Sequence, residues 1–183
     1  VGAAATGAQA SAFGAVANAL GDFSTAVGTE SAATGDSSVA VGAGANATGG
    51  YTTAVGSGAR ATAENATVLG EFAWATGANA TAVGEFAWAT GADTTALGQD
   101  SFATGAAATA LGVGAYASAA NSVALGADAL ANRANSVSVG SAGSERQITN
   151  VEAGTETTDA VNVGQLDEAT AYNQYFRATG ESE

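Results

Sequence analysis

The sequence predicts an all-β solenoid, in which short strands wind into coils that stack along one axis. Three observations support this fold class: a glycine that recurs every 14 residues, small residues at fixed places between the glycines, and few large side chains. A fixed period is typical of solenoid proteins, in which each repeat buries its apolar face only against its neighbours. A disordered chain of similar composition would not keep the phase of the repeat.

The main glycine series runs unbroken over ten repeats, from Gly14 to Gly140, and a second series lies half a period away. Three members of the second series are replaced, by Ala63, Ala119 and Arg133. We therefore predict one coil of two short strands per repeat, with a tight turn near each glycine, since glycine reaches positive φ without steric cost. With coils stacked in parallel at about 4.8 Å, ten coils give a rod roughly 45–50 Å long.

The strand before the main glycine is constrained on both faces. Its middle residue is nearly always alanine, as in Ala26. Val, Leu or, in the first repeat, Phe13 comes immediately before the glycine, and Thr, Val or Ser stands three before it. Because alternate residues of a strand face opposite sides, one face fills the coil and the other needs a second cover. A partner chain is the simplest cover. The residues assigned to this contact between subunits are Val41, Val55, Val83, Leu97, Leu111, Leu125 and Val139.

The strand before the second corner has small residues on one face only. Two positions before this corner, alanine stands in all ten repeats, from Ala5 to Ala131. The alternate positions vary widely, from Asn18 to Trp74, which is typical of a solvated face. One strand buried on both faces and one buried on a single face predict an oligomer around a central axis, with the number of subunits left open.

Composition excludes several classes of function. The 183 residues include no Cys, Met, Pro or His, and the net charge is -13. The commonest general base and metal ligands are missing, so we predict no enzyme, no cofactor and no metal site. The charge would repel a phosphate backbone, which argues against nucleic acid as a partner. Since the chain starts at Val1 without a signal peptide, we expect it to be a piece of a longer protein.

A different region follows Gly140, where the 14-residue pattern stops. Thr158 or Asp159 is a suitable N-cap, so we predict a helix over 159–178. The helix offers two equally arguable coiled-coil registers, and two heptads are too few to choose between them. One register runs through Val163, Leu166, Thr170 and Asn173, and the other through Ala169, Tyr172 and Phe176.

Two kinds of motif in this chain resemble a known family. The units NSVALG (121–126) and NSVSVG (135–140) resemble the head repeat of the YadA-like trimeric autotransporter adhesins. The segment RQITNVEAGTETTDAVNVGQL (146–166) resembles the neck of that family, and the likeness covers nearly the whole chain.

This resemblance implies a domain order and an assembly. Residues 1–140 would form the head, a left-handed parallel β-roll packed as a homotrimer, and residues 141–166 would form the neck. Residues 167–183 would begin a helical stalk or connector. A secretion signal and a C-terminal outer-membrane β-barrel anchor, both outside this sequence, would hold the protein on the bacterial surface.

The resemblance also implies that the protein attaches to host cells or to matrix proteins such as collagen or fibronectin. A passive rigid spacer within a longer surface fibre is the alternative. An ice-binding solenoid is a more distant one, suggested by a row of threonines at the second corner. These are Thr34, Thr48, Thr62, Thr76, Thr90 and Thr104. Because the row is one residue wide, we interpret it as a corner ladder of hydrogen bonds.

Two near-identical segments, EFAWATGAN (71–79) and EFAWATGAD (85–93), place aromatic residues one coil apart. We predict that their rings stack along the variable face and form a candidate adhesive patch. Its members are Phe72, Trp74, Phe86, Trp88, Phe102 and Tyr116. The alternative is that the rings pack on one another, or across a groove between subunits, and so compensate for a thin alanine core.

In the neck, Arg146 is one of only four cations in the chain. We predict that it pairs with Asp159 or Glu152 of the same or a neighbouring subunit, in a contact that stabilises the trimer. Val163 and Leu166 complete the residues assigned to assembly in this region.

Overall fold

The computed structural model describes the backbone of residues 2–179 and the side chains of residues 2–171. The chain divides into two compact units, with the boundary between Glu145 and Arg146.

The first unit consists of ten coils, each contributing one strand to each of two parallel ten-stranded sheets. The strands of the first sheet are Ala4–Ala5 (β1), Asn18–Ala19 (β3), Ala32–Ala33 (β5), Asn46–Ala47 (β7), Arg60–Ala61 (β9), Trp74–Ala75 (β11), Trp88–Ala89 (β13), Phe102–Ala103 (β15), Tyr116–Ala117 (β17) and Leu130–Ala131 (β19). The strands of the second sheet are Ser11–Phe13 (β2), Thr25–Val27 (β4), Val39–Val41 (β6), Thr53–Val55 (β8), Thr67–Leu69 (β10), Thr81–Val83 (β12), Thr95–Leu97 (β14), Thr109–Leu111 (β16), Val123–Leu125 (β18) and Val137–Ser138 (β20). The predicted parallel solenoid of 14-residue coils is confirmed.

The register repeats the sequence period, because each residue pairs with the residue 14 positions later. Trp74 lies opposite Trp88, and Thr81 opposite Thr95. Hydrogen bonds between coils continue through the corners, where the Phe23 N–H donates to the Ala8 carbonyl at 2.8 Å. Strands of two or three residues are stable here because the bonds between coils do not stop where a strand ends.

The core of the solenoid is almost entirely alanine. The middle residue of each long strand and two residues of each short-strand segment point inward, as Ala26, Ala17 and Ala19 do, and all three are fully buried. Hydroxyl side chains share the core where they can bond to the backbone: the Thr94 hydroxyl donates to the Gly91 carbonyl at 2.7 Å. Small side chains let the two sheets approach closely, so the coil interior is narrow.

The glycines serve two different purposes, which corrects the single explanation predicted from sequence. At the main corner the glycine does have positive φ, for example +130° at Gly84. At the second corner it does not. There a Cβ on Gly21 would overlap the backbone of Gly35 in the next coil, so glycine permits close stacking.

A left-handed residue does occur at both corners, but it lies two positions after the glycine and is usually not glycine itself. Phe23 at the second corner has a φ of 57°, and Asp100 at the main corner has a φ of 51°. Asn and Asp are favoured in this conformation, whereas an aromatic residue pays a strain there of roughly 1 kcal/mol. The N–H of the same residue bonds to the coil before it, as at Phe23, which holds the conformation in place.

The second unit contains one helix, α1, over Val163–Thr179. The predicted start at 159 is therefore four residues too early. The Asp159 carboxylate accepts the N–H groups of Thr155 and Glu156, which precede it, and so caps a turn before the helix. Asn162 is the actual N-cap: its Oδ1 accepts the Gln165 N–H at 3.1 Å.

Candidate functional site

The predicted stacking of aromatic rings is present along the first sheet. Trp74 and Trp88 lie parallel, with ring centroids 5.0 Å apart and an interplanar angle of 3°. Phe102 meets Trp88 edge-on at 5.4 Å, and Tyr116 meets Phe102 edge-on at 6.0 Å. Because the register places these four residues directly above one another, they form a continuous line of rings, which we call the aromatic column.

Phe72 and Phe86 form a second, separate stack rather than part of the same face. Their centroids are 5.5 Å apart, and both residues occupy the left-handed position of the main corner. They remain 43% and 39% exposed. The six predicted residues therefore lie in two neighbouring stacks, one on the sheet and one at its corner.

Arg60 extends the aromatic column by one coil, and the sequence argument did not include it in the patch. Its guanidinium carbon lies 5.2 Å from the centroid of the Trp74 ring, within the range of a cation–π contact. The spacing could have revealed this contact, since Arg60 precedes Trp74 by one period. The column thus begins with a cation over an indole face.

The apolar row of the second sheet points away from the coil interior and stays partly uncovered in the single chain. Leu97 is 41% exposed, while the neighbouring Ala96 is fully buried. Leu111 and Leu125 are exposed to a similar extent, and Val41, Val55, Val83 and Val139 are half-buried. One coil therefore covers only one face of this strand, as the sequence predicts.

The threonine row at the second corner does not form the predicted ladder of side-chain hydrogen bonds. Thr34, Thr48 and Thr76 are exposed, and none of the six hydroxyls donates or accepts a bond within residues 2–171. The bonds are made by a different row that faces the core, such as Thr52 to the Gly49 carbonyl at 2.7 Å. The inward row can reach a carbonyl three residues back, and the outward row cannot.

The neck is organised around Asn162 and Gln165. The two residues form a capping box, in which the Asn162 N–H donates to Gln165 Oε1 at 3.3 Å and the Gln165 N–H donates to Asn162 Oδ1. The Gln165 side chain also accepts the Gly154 N–H and donates to the Gly154 carbonyl, both at 2.9 Å. Asn162 Nδ2 donates to the Val151 carbonyl at 3.1 Å.

These contacts tie the start of α1 to the extended segment before it. Gly154 suits its position, because a Cβ there would lie 2.9 Å from the Cβ of Asp159. The sequence argument missed Asn162, Gln165 and Gly154. The signal was present as the spacing N-x-x-Q, a pattern of capping boxes.

The remaining neck residues that we predicted lie on the surface of the single chain. Val163 is 72% and Leu166 57% exposed, so neither is covered within the chain. The N–H of Glu156, and then that of Thr155, lowers the pKa of Asp159 by stabilising its carboxylate. The pairing of Arg146 with Asp159 or Glu152 stays a prediction. The side chains of Tyr172, Asn173 and Phe176, which decide the helix register, lie outside the described residues.

Within the described residues, no group of three or more His, Cys, Asp or Glu side chains is placed to hold a metal ion. The helix of the neck unit, where described, falls short of the length and apolarity required to cross a membrane.

The fold is thus a repetitive solenoid that carries two aromatic stacks and is followed by a capped neck, and comparison with known proteins places the chain in a family. The YadA head domain repeat matches seven stretches, 5–31, 33–59, 61–87, 75–101, 89–115, 103–129 and 117–142. The coiled stalk of trimeric autotransporter adhesins matches residues 147–179. The chain therefore belongs to the YadA-like trimeric autotransporter adhesins, as the resemblance indicated.

A solved structure supports the same conclusion. The collagen-binding domain of the Yersinia adhesin YadA superimposes with a TM-score of 0.77 at 34% sequence identity, covering 88% of this chain and 86% of that one. No curated protein matches the sequence significantly. The chain is thus an adhesin head followed by a neck and the beginning of a stalk, and members of this family are displayed at the cell surface.

Proposed function

We propose that this head attaches the bacterium to host cells or extracellular matrix, and that the two aromatic stacks are the contact surface. The observation that carries the proposal is the line of rings on an outward face, continued by Arg60. Tryptophan, tyrosine and arginine, three of the residue types in this line, are the side chains most enriched at binding hot spots. Three copies in a trimer would multiply weak contacts if one target engages several of them.

Similarity to the Yersinia domain suggests which class of partner the head binds. The Yersinia domain is a collagen-binding domain, and matrix proteins such as collagen or fibronectin are the first candidates for this chain. An outer-membrane anchor beyond this sequence would hold the fibre to the cell. The apolar row from Val41 to Val139 would pack around the trimer axis, with Val163 and Leu166 continuing the contact in the neck.

The experiment compares binding of the trimeric fragment to a panel of matrix proteins and to host cells, before and after Trp74→Ser with Trp88→Ser. A matched control replaces Phe23 and Tyr51 with Ser, because these exposed rings lie singly at the second corner. We expect the tryptophan variant to lose binding and the control to retain it. Circular dichroism confirms that both variants stay folded at the assay temperature.

One observation favours the alternative of a rigid spacer: the rings cover each other. Each aromatic pair contributes about 0.5–1.5 kcal/mol to stability beyond the contribution of the apolar area that it buries. This contribution would offset the small stabilisation that an alanine core provides. If the spacer interpretation is right, the tryptophan variant melts at a lower temperature and binds every surface as well as the original chain does.

A further inference from the structure

The main corner carries a row of side chains at its left-handed position, and glycine interrupts this row at Gly44, Gly58 and Gly114. At Gly114 the interruption is one coil long, and the Asp128 carboxylate reaches into it. Most coils present a large residue at the left-handed position, for example Glu30, Phe72 and Phe86. Two consecutive coils have glycine there instead, Gly44 and Gly58, with φ of 64° and 65°. The missing side chains leave a notch of about 460 Å³, lined by Gly44, Asn46, Gly58, Arg60, Phe72 and Trp74.

The walls of the notch are aromatic on one side and held in place by neighbouring contacts. The Phe72 ring lies over the Gly58 backbone, so that a Cβ on Gly58 would come within 2.6 Å of Phe72 Cδ1. The Arg60 guanidinium lies over the Trp74 ring, with its central carbon 5.2 Å from the ring centroid. No atom lies within 4 Å of a Cβ placed on Gly44, so this end of the notch is open. The notch is thus a shaped opening at the end of the aromatic column.

The polar side chains of the notch would bond best to a ligand that offers both a hydrogen-bond acceptor and a hydrogen-bond donor. The guanidinium of Arg60 offers only donors. Asn46 Oδ1 is buried and accepts no hydrogen bond within the described residues. Because Asn46 lines the notch, a half-turn of its carboxamide, which exchanges Oδ1 and Nδ2, would offer an acceptor to a ligand. A hydroxyl group satisfies both residues, because it donates and accepts.

The surroundings disfavour a peptide strand and a polyanion. The N–H groups of Gly44, Asn46, Gly58 and Arg60 all donate to carbonyls of neighbouring coils, so no free backbone edge is available for an added strand. A net charge of -13 would repel a heavily sulfated chain. What fits is a compact ring with several hydroxyls, an apolar face for Phe72 and little charge.

We propose that this notch binds one sugar ring of a neutral glycan. The ring's apolar C–H face would lie against Phe72, and its hydroxyls would bond to Arg60 and Asn46. This inference rests on the proposed function of attachment and names the class of ligand that the head contacts. Each notch would bind weakly, and the trimer would gain from three notches engaging a dense glycan surface.

The test measures binding of the trimeric fragment to an array of immobilised neutral glycans and to heparin, a heavily sulfated polyanion. Arg60→Gln removes the guanidinium, and Gly44→Glu places in the notch the side chain that the preceding coil carries as Glu30. The matched control is Gly50→Glu, which adds the same charge at the opposite corner, where a Cβ also meets nothing within 4 Å.

We expect at least one neutral glycan to bind, with both notch variants weakened tenfold or more and the Gly50 variant unchanged. Binding of no neutral glycan, preference for heparin, or equal binding by all variants would overturn the proposal. Periodate oxidation, which destroys the sugars of the target surface, distinguishes failure of the glycan proposal from failure of the proposed attachment function. If periodate leaves cell attachment intact, the head is an adhesin whose ligand is not a sugar, whereas a fragment that attaches to no surface contradicts both.

Discussion

The head and the neck of this adhesin are specified by the sequence in opposite ways. In the head, one 14-residue pattern is repeated ten times, and each coil is stabilised by the same contacts as its neighbours. In the neck, a few individual side chains, above all Asn162 and Gln165, make bonds that occur once. The comparison teaches that a single substitution in the head weakens one of many equivalent coils, whereas a single substitution in the neck can remove contacts that no other residue makes.

The largest expected effect concerns assembly of the head. If the apolar row lines the trimer axis, as we propose, replacing Leu97 and Leu111 with Asp places six charges near that axis. Since an unpaired buried charge costs several kcal/mol, we expect the trimer to be lost. Light scattering should then report the 17.3 kDa chain, or aggregates, in place of three times that mass.

The control for this change is Thr34→Asp with Thr48→Asp, which adds the same charges on the exposed second corner. This control should remain trimeric. A leucine variant that still assembles would show that the apolar row faces solvent and that the trimer is formed elsewhere.

The next largest expected effect is the loss of stability when the glycine at either corner of a coil is replaced. Gly84→Ala introduces a side chain where φ is +130° and where its Cβ would lie 2.6 Å from the carbonyl carbon of Gly98. We expect a loss of about 3 kcal/mol or more per chain, from backbone strain together with overpacking. Thermal denaturation followed by circular dichroism measures it.

Gly77→Ala at the second corner is the partner of that experiment, and we expect a smaller loss. This chain already has Ala63 and Ala119 at the equivalent position of other coils, so the stack can adjust to a methyl group there. If Gly77→Ala proved the more damaging of the two, close stacking rather than positive φ would be the stricter demand.

The neck should respond to a single truncation. Gln165→Ala removes half of the capping box and both bonds to Gly154, at a cost of about 2 kcal/mol. We expect faster amide exchange in 151–166, with the coils of the head unaffected. Gln147→Ala, the same change at an exposed residue of this unit, should leave exchange as it was. Equal exchange in both variants would mean that the bonds of Gln165 do not order the neck.

Most of the solenoid could be predicted because its information is periodic. The coil length, the strand register and the stacking of Trp74 on Trp88 all follow from a spacing of 14. Three features escaped prediction for physical reasons. The close stacking at Gly21 depends on a neighbouring coil, and the separation of Phe72 from the column depends on a left-handed φ. The helix start depended on whether Asp159 or Asn162 is the cap.

Both Asp159 and Asn162 are good N-caps by residue type, so type alone could not decide between them. The residue three positions after the cap determines which of the two begins the helix. Asn162 is followed by Gln165, which completes a capping box, whereas Asp159 is followed by Asn162 itself. A short helix is therefore better located from pairs of residues than from single preferences.

The smallest expected effect is a pH dependence confined to the neck. The pKa of Asp159 is lowered by the N–H groups of Glu156 and Thr155, so its contribution to stability is fully present above the ordinary pKa of an aspartate, about 4. It is lost as the pH falls through the lowered folded value. In NMR spectra, the amide signals of 155 and 156 should therefore move together below about pH 4. Asp159→Asn, which cannot titrate, should abolish the shared movement, and its persistence in that variant would assign the titration to another carboxylate.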